Sequence, residues 1–321
     1  MGQDKPDIDT IRARRDQVAE RHGPWTSHDI QLAEGVSTRP GGADLDRLRR
    51  CLQIASDVLR RPLGELRVLD LGALEGQYAV EFAAHGAEAV AIEGREANIE
   101  KARVAKEALG LDRLELLQED VRALSRDRHG AFDVVLCIGL LYHLDADDVF
   151  GFLRQLADVC DGVLILDTHV ALRGASVHEH DGHEYRGLRF AEHDPRASAA
   201  QRARSLWASL DNPESFWPTR PALLAALMRA GFSSVLGAEV PVARSPRDRV
   251  TLVCLKGQPV TLRSAKPRGG DTVTLPSEQR APRFVKNQSR AFLAAKRVAL
   301  RTLVLRDRLA RRGRRGGARP S

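Results

Sequence analysis

Arg67-Val-Leu-Asp-Leu-Gly-Ala-Leu-Glu-Gly76, then an apolar-spaced segment, then Ala89-Val-Ala-Ile-Glu-Gly94 form the stretch that decides how this chain folds. The apolar run Val68, Leu69, Leu71 has the length of a buried strand, and Gly72 and Gly76 follow at once. The spacing therefore predicts strand, tight loop and helix start, half of a nucleotide-binding βαβ unit. The second apolar run, Ala89 to Ile92, ends in Glu93, where a carboxylate at a strand tip accepts hydrogen bonds from ribose hydroxyls.

The glycines follow the pattern D-x-G-x-x-x-G and not the G-x-G-x-x-G of dinucleotide sites. Asp70 would oppose a phosphate but suits a cationic amino-acid moiety. At these residues the chain resembles the class I S-adenosylmethionine-dependent methyltransferases. The resemblance implies S-adenosylmethionine as cofactor, with Asp70, Gly72, Leu74 and Gly76 around its methionyl end and Glu93 and Gly94 at its ribose. Many family members carry glycine at the position of Leu74, so the loop is expected to take a conformation open to a Cβ there.

Downstream, Leu114 to Leu117 reads as a third strand followed by Asp120-Val121, which the resemblance makes the adenine contact. Phe132 to Ile138 is apolar throughout, as in a strand buried on both faces of a parallel sheet. It runs into Gly139, Tyr142 and His143, expected to line the pocket because open α/β sheets bind ligands beyond the carboxyl ends of their strands. Asp145 to Val159 is a helix, Gly162 to Asp167 a fifth strand, and Ser233 to Val240 with Arg249 to Lys256 a closing pair. The expected fold is α/β, Rossmann-like and doubly wound: a mostly parallel seven-stranded sheet with helices on both faces.

Methyl transfer from a sulfonium is an in-line displacement, so the protein mainly aligns donor and acceptor. A hydroxyl acceptor also needs a base, and a histidine suits neutral pH. His143 after the fourth strand and His169 after the fifth are the catalytic candidates. From 171 to 218 periodicity lapses; a stretch this long without a regular pattern is a functional loop or an inserted subdomain, and it reads as a substrate-cover insertion. Within it His178, His180 and His183 alternate with acids, but no ligand spacing of a known site emerges, so no metal is expected.

The four cysteines, Cys51, Cys137, Cys160 and Cys254, form no CxxC pair and read as reduced core residues of a cytoplasmic protein. Residues 1–62 are expected to supply surface and core helices and a segment, Trp25 to Thr38, acting as a lid or a strap; 63–257 the cofactor domain; 258–280 a linker. Of the formal charge of +7, residues 281–321 carry +12, with 13 Lys and Arg against Asp307 alone, leaving the body at −5. That tail reads as a basic amphipathic helix with a disordered end. The acidic body favours a small-molecule acceptor, most readily a hydroxyl of a sugar or secondary metabolite. The alternatives give the tail an RNA, an anionic membrane or a protein partner. Gly139-Leu-Leu-Tyr-His143, Phe216 to Leu224 and Ala230-Gly-Phe232 are also similar to a subgroup that includes the enzyme alkylating the wobble uridine of tRNA and secondary-metabolite tailoring enzymes.

Overall fold

The computed structural model describes residues 7–41, 45–194, 196–238 and 248–257, with the backbone of 263–264 and 273–274. The chain divides into two units, 1–257 and 258–321. In the first, α1 (Ile8–His22) is capped by Asp7, whose carboxylate accepts from the amides of Asp9 and Thr10. A hairpin of β1 (Gln31–Ala33) and β2 (Val36–Ser37) leads to α2 (Leu45–Leu59). There follow β3 (Arg67–Leu71), α3 (Gln77–Ala84), β4 (Glu88–Glu93), α4 (Glu96–Leu109), β5 (Leu114–Gln118), the short α5 (Arg126–His129), β6 (Phe132–Ile138), α6 (Ala146–Val159) and β7 (Cys160–His169). The unit closes with β8 (Ser176–His180), β9 (His183–Ala191), α7 (Ala199–Arg204), β10 (Glu214–Pro218), α8 (Arg220–Ala230), β11 (Ser234–Gly237) and β12 (Arg249–Leu255).

Seven strands form the central sheet in the order β11-β12-β7-β6-β3-β4-β5. Strands β3 to β7 pair in parallel, while β12 runs antiparallel to both β7 and β11. Because side chains alternate along a strand, each strand feeds two cores. Val68, Val134, Leu136 and Ile165 pack with Leu48, Cys51 and Ala55 of α2 and Phe82 of α3. Leu69, Leu71, Val135 and Cys137 pack on the other face with Phe152, Leu153 and Leu156 of α6 and Leu227 of α8. The winding reverses between β3 and β6, and this switch point is where the carboxyl ends of the strands leave a crevice. All four cysteines are free and buried.

Trp25 to Thr38 is a strap: Trp25, Ile30, Leu32 and Val36 are buried in a core with α1 and α4. It is tied down by Glu75, fully buried, whose carboxylate accepts from the amides of Thr26 (2.6 Å), Ser27 (3.2 Å) and His28 (3.0 Å) and from Lys101 Nζ (3.3 Å). Burial would raise the Glu75 carboxyl, but the three amides outweigh it and hold it below the ordinary range.

The 171–218 segment is not irregular. Strands β8, β9 and β10 form a separate antiparallel sheet in the order β10-β9-β8. Its hairpin turns on Asp181-Gly182, both with positive φ (50° and 68°), the two-residue geometry that matches strand twist. Charged and aromatic side chains alternate there without a run of aliphatics, so the segment lacks the hydrophobic period while keeping the turn chemistry. In the second unit, β13 (Arg263–Ser264) pairs antiparallel with β14 (Val273–Thr274), inside the stretch expected to be plain linker. The basic helix expected over 281–321 lies outside the described residues. Among the described residues no helix is long and apolar enough to cross a membrane.

Candidate active site

A cavity of about 330 Å³ opens at the carboxyl ends of β3, β4, β5 and β6, lined among others by Asp70, Gly72, Leu74, Glu93, Gly94, Asp120, Val121, Gly139 and His143. Gly76 and His169 are not on its wall. Gly76 supports the loop from behind as the left-handed residue before α3 (φ 81°), and a Cβ there would sit 2.9 Å from that of Ala102. His169 instead stacks on Trp217 (centroids 4.8 Å apart) and meets the edge of Tyr142 (4.7 Å). Burial, helped by the nearby Arg249 guanidinium, pushes its pKa down.

Asp70, next to last in β3, is almost fully buried, with Oδ2 accepting from the Ala79 amide at 3.2 Å. Burial pushes its carboxyl up to about 7 despite that hydrogen bond, and the nearby Glu93 adds to the rise. Glu93, at the tip of β4, accepts from the amides of Leu74 (2.9 Å) and Arg95 (2.8 Å), yet burial still raises it. The Leu74 bond holds that residue in the left-handed region at φ 51°. The expectation of a Cβ-tolerant loop is therefore wrong: the backbone keeps the glycine-type conformation, at a cost of about 1–2 kcal/mol for a residue with a Cβ. Asp120 is on the wall, but both its oxygens accept from Arg122 (2.6 Å at the shortest), which holds its carboxyl low against the effect of burial.

At the opposite end His143 follows β6 in a single 3₁₀ turn. Its Nδ1 lies 3.1 Å from both oxygens of Glu192, a residue 49 positions away beyond β9. Glu192 also accepts from Ser215 Oγ (2.8 Å) and the Ser209 amide (2.9 Å). Burial would raise the Glu192 carboxyl, but His143 and these donors hold it below its ordinary value. Nothing in the sequence marks Glu192, since its partnership with His143 exists only once β9 packs beside β10. Arg95 was missed likewise. Its Nη2 donates to the carbonyls of Ser205 (3.2 Å), Ala208 (3.0 Å) and Ser209 (2.9 Å), clamping the segment after α7 over the cavity.

Comparison with known proteins agrees with this fold. Residues 68–161, which carry β3 to the start of β7, match the model of a methyltransferase domain. The N-terminal domain of EvdMO1, solved in the presence of S-adenosylhomocysteine and D-fucose, superposes with a TM-score of 0.63 at 26% identity, covering 80% of this chain and 100% of that one. The chain is an S-adenosylmethionine-dependent methyltransferase. The same EvdMO1 domain with S-adenosylhomocysteine alone matches equally well. A structure of EvdMO1 not limited by its name to the N-terminal domain matches at 25% identity and a TM-score of 0.54, covering 79% of this chain and 49% of that one. No curated protein matches.

The methyltransferase's residues fit the cofactor on their own chemistry. The Arg95 Nε is a buried donor without a partner among the described residues, on a side chain that lines the cavity. Asp70 offers a buried carboxylate for an ammonium, and a Cβ at Gly72 would come within 2.9 Å of Leu140, so the wall there stays thin.

Proposed function

We propose that this methyltransferase transfers the methyl group to a hydroxyl of a small molecule, in the class of sugars and secondary metabolites, with His143 as general base and Glu192 as its positioning residue. The observation that carries this is the 3.1 Å contact of His143 Nδ1 with both Glu192 oxygens at the cavity wall. A carboxylate on one ring nitrogen fixes the tautomer with Nδ1 protonated, leaves Nε2 to accept a proton, and stabilises the imidazolium that results. The bound cofactor supplies an electrophilic methyl on a sulfonium. The chain's part is to hold Asp70 and Glu93 toward the cofactor, to cover the site with the Arg95-clamped segment, and to take the acceptor's proton on His143. The presence of D-fucose with the EvdMO1 domain supports a sugar as acceptor.

The test is incubation with methyl-labelled S-adenosylmethionine and a fractionated small-molecule extract of the source cells. An ether-linked methyl in the product, lost in His143→Asn, supports the proposal, and an N- or C-methylated product overturns it. Glu192→Gln separates positioning from folding: it shifts the acidic limb of the pH profile of kcat/KM while S-adenosylhomocysteine still binds. An unmoved pH profile removes Glu192 from the mechanism.

A further inference from the structure

The acceptor end of the cavity carries a donor pair that neither methyl transfer nor the His143–Glu192 pair uses. Gly139 directly follows β6 beside the switch point, with φ 75°. The space above its Cα is open except for two groups: an ideal Cβ there would have Arg249 Nη2 and Tyr142 Oη, each at 3.6 Å, as its neighbours. Both side chains line the cavity.

The two donors are preorganised. Arg249, on β12, donates through Nε (2.7 Å) to Oδ1 of the buried Asp167 and holds Nη2 in an ion pair 2.6 Å from the same oxygen, while the other Asp167 oxygen accepts from Thr251 Oγ1 at 2.6 Å. That pairing fixes the plane of the guanidinium yet uses only part of a five-donor fork. Arg47, also on the cavity wall, places its Nε 3.7 Å from the second Asp167 oxygen, so two guanidiniums face one carboxylate. Burial raises the Tyr142 hydroxyl's pKa, which keeps it a neutral donor at working pH. The other carboxylate near Tyr142, Glu192, is engaged by His143 and Ser215. A fixed guanidinium and a phenol aimed at one open point are a receptor for an anionic oxygen.

We propose that Arg249 and Tyr142, with Arg47 beside them, form an acceptor subsite for an anionic group, so that the substrate is an acid: a sugar acid, a sugar phosphate or a hydroxylated carboxylic acid, held by its anionic oxygen over Gly139. This inference rests on the methyltransferase reading of the cavity and narrows its acceptor. The anionic oxygen could instead be the carboxylate of the cofactor's own methionyl end, and the experiment distinguishes the two.

Full-length protein is first titrated with S-adenosylhomocysteine. Failure to bind it sinks the cofactor assignment itself and not this subsite. The saturated protein is then titrated, by saturation-transfer NMR, with two matched pairs: D-glucuronate against D-glucose, and 4-hydroxybenzoate against 4-hydroxybenzyl alcohol. The expected result is that at least one acid binds more tightly than its neutral partner. In Arg249→Met the acid weakens by about tenfold or more, the loss of a charge-assisted hydrogen bond, with S-adenosylhomocysteine affinity unchanged. Tyr142→Phe gives a smaller loss of the same kind. The inference is overturned if neither acid is preferred, or if acid binding survives Arg249→Met. It is also overturned if Arg249→Met weakens S-adenosylhomocysteine but not 5′-methylthioadenosine, which lacks the carboxylate, because the arginine then serves the cofactor.

Discussion

At the β3, β4 and β5 end of the cavity Asp70, Glu93 and Asp120 come one from each successive strand end, the first two held by main-chain amides and the third by Arg122. At the β6, β7 and β12 end the lining groups come from Tyr142, His143 and Arg249, and side-chain contacts hold His143 to Glu192, 49 positions away, and Arg249 to Asp167, 82 positions away. The first end is a product of βαβ winding, which places every strand tip on one edge of the sheet. The second depends on how an insertion and an antiparallel strand pack against that edge. The cofactor end should therefore tolerate little change in backbone, and the acceptor end should change specificity through single side chains.

The sharpest way to break this contrast is His143→Asn. It should lower kcat by about 10²–10⁴, the range of general-base catalysis, measured as initial methyl-transfer rate. Affinity for S-adenosylhomocysteine should stay within about twofold, as for an independent site; a collapse of cofactor affinity would mean that the two ends are one unit. Next in size is Lys101→Met, which leaves the buried Glu75 carboxylate without its cation beneath the cofactor loop. Breaking such a pair should cost about 3–5 kcal/mol in denaturant unfolding. An unchanged midpoint would show that the amides of the strap suffice alone.

Asp70 sharpens the comparison through pH. Its folded pKa, pushed up to about 7, lies above the unfolded carboxylate value, so the cofactor-free protein loses stability from this group as pH rises from about 4 through 7. A ligand ammonium favours the ionised form, so the sign for binding is opposite: S-adenosylhomocysteine affinity should rise about tenfold from pH 6 to pH 8, by calorimetry. Asp70→Asn should flatten that profile, and an equally steep profile in the variant would contradict the role. The smallest effect expected is from Leu74→Gly. Relief of the left-handed strain and the added flexibility of glycine oppose each other, so the melting free energy should move by less than about 1 kcal/mol with cofactor binding intact. A large loss would show that the leucine side chain itself touches the ligand.

The strands of the central sheet could be read from the chain because each is written locally, in a run of apolar residues closed by a glycine or an acid, whereas their order across the sheet could not. Leu74 misled because its sequence cost says nothing of the Glu93 carboxylate that holds its amide. The small β10-β9-β8 sheet was missed because its strands carry charged and aromatic residues without an apolar period, although Asp181-Gly182 is a hairpin turn in plain view. Glu192, Arg95 and Arg249 were out of reach for another reason. Each is one of many surface-type charges along the chain, and only packing singles it out.

A crystal structure of the full chain with S-adenosylhomocysteine tests the central claim most directly. The account predicts adenosine between Glu93 and Asp120, with Asp120 released from at least one of its Arg122 contacts, and the sulfur over Gly72 on the side facing His143. The nucleoside bound at any other face, or the Asp70 and Glu93 carboxylates making no contact with it, would contradict the account.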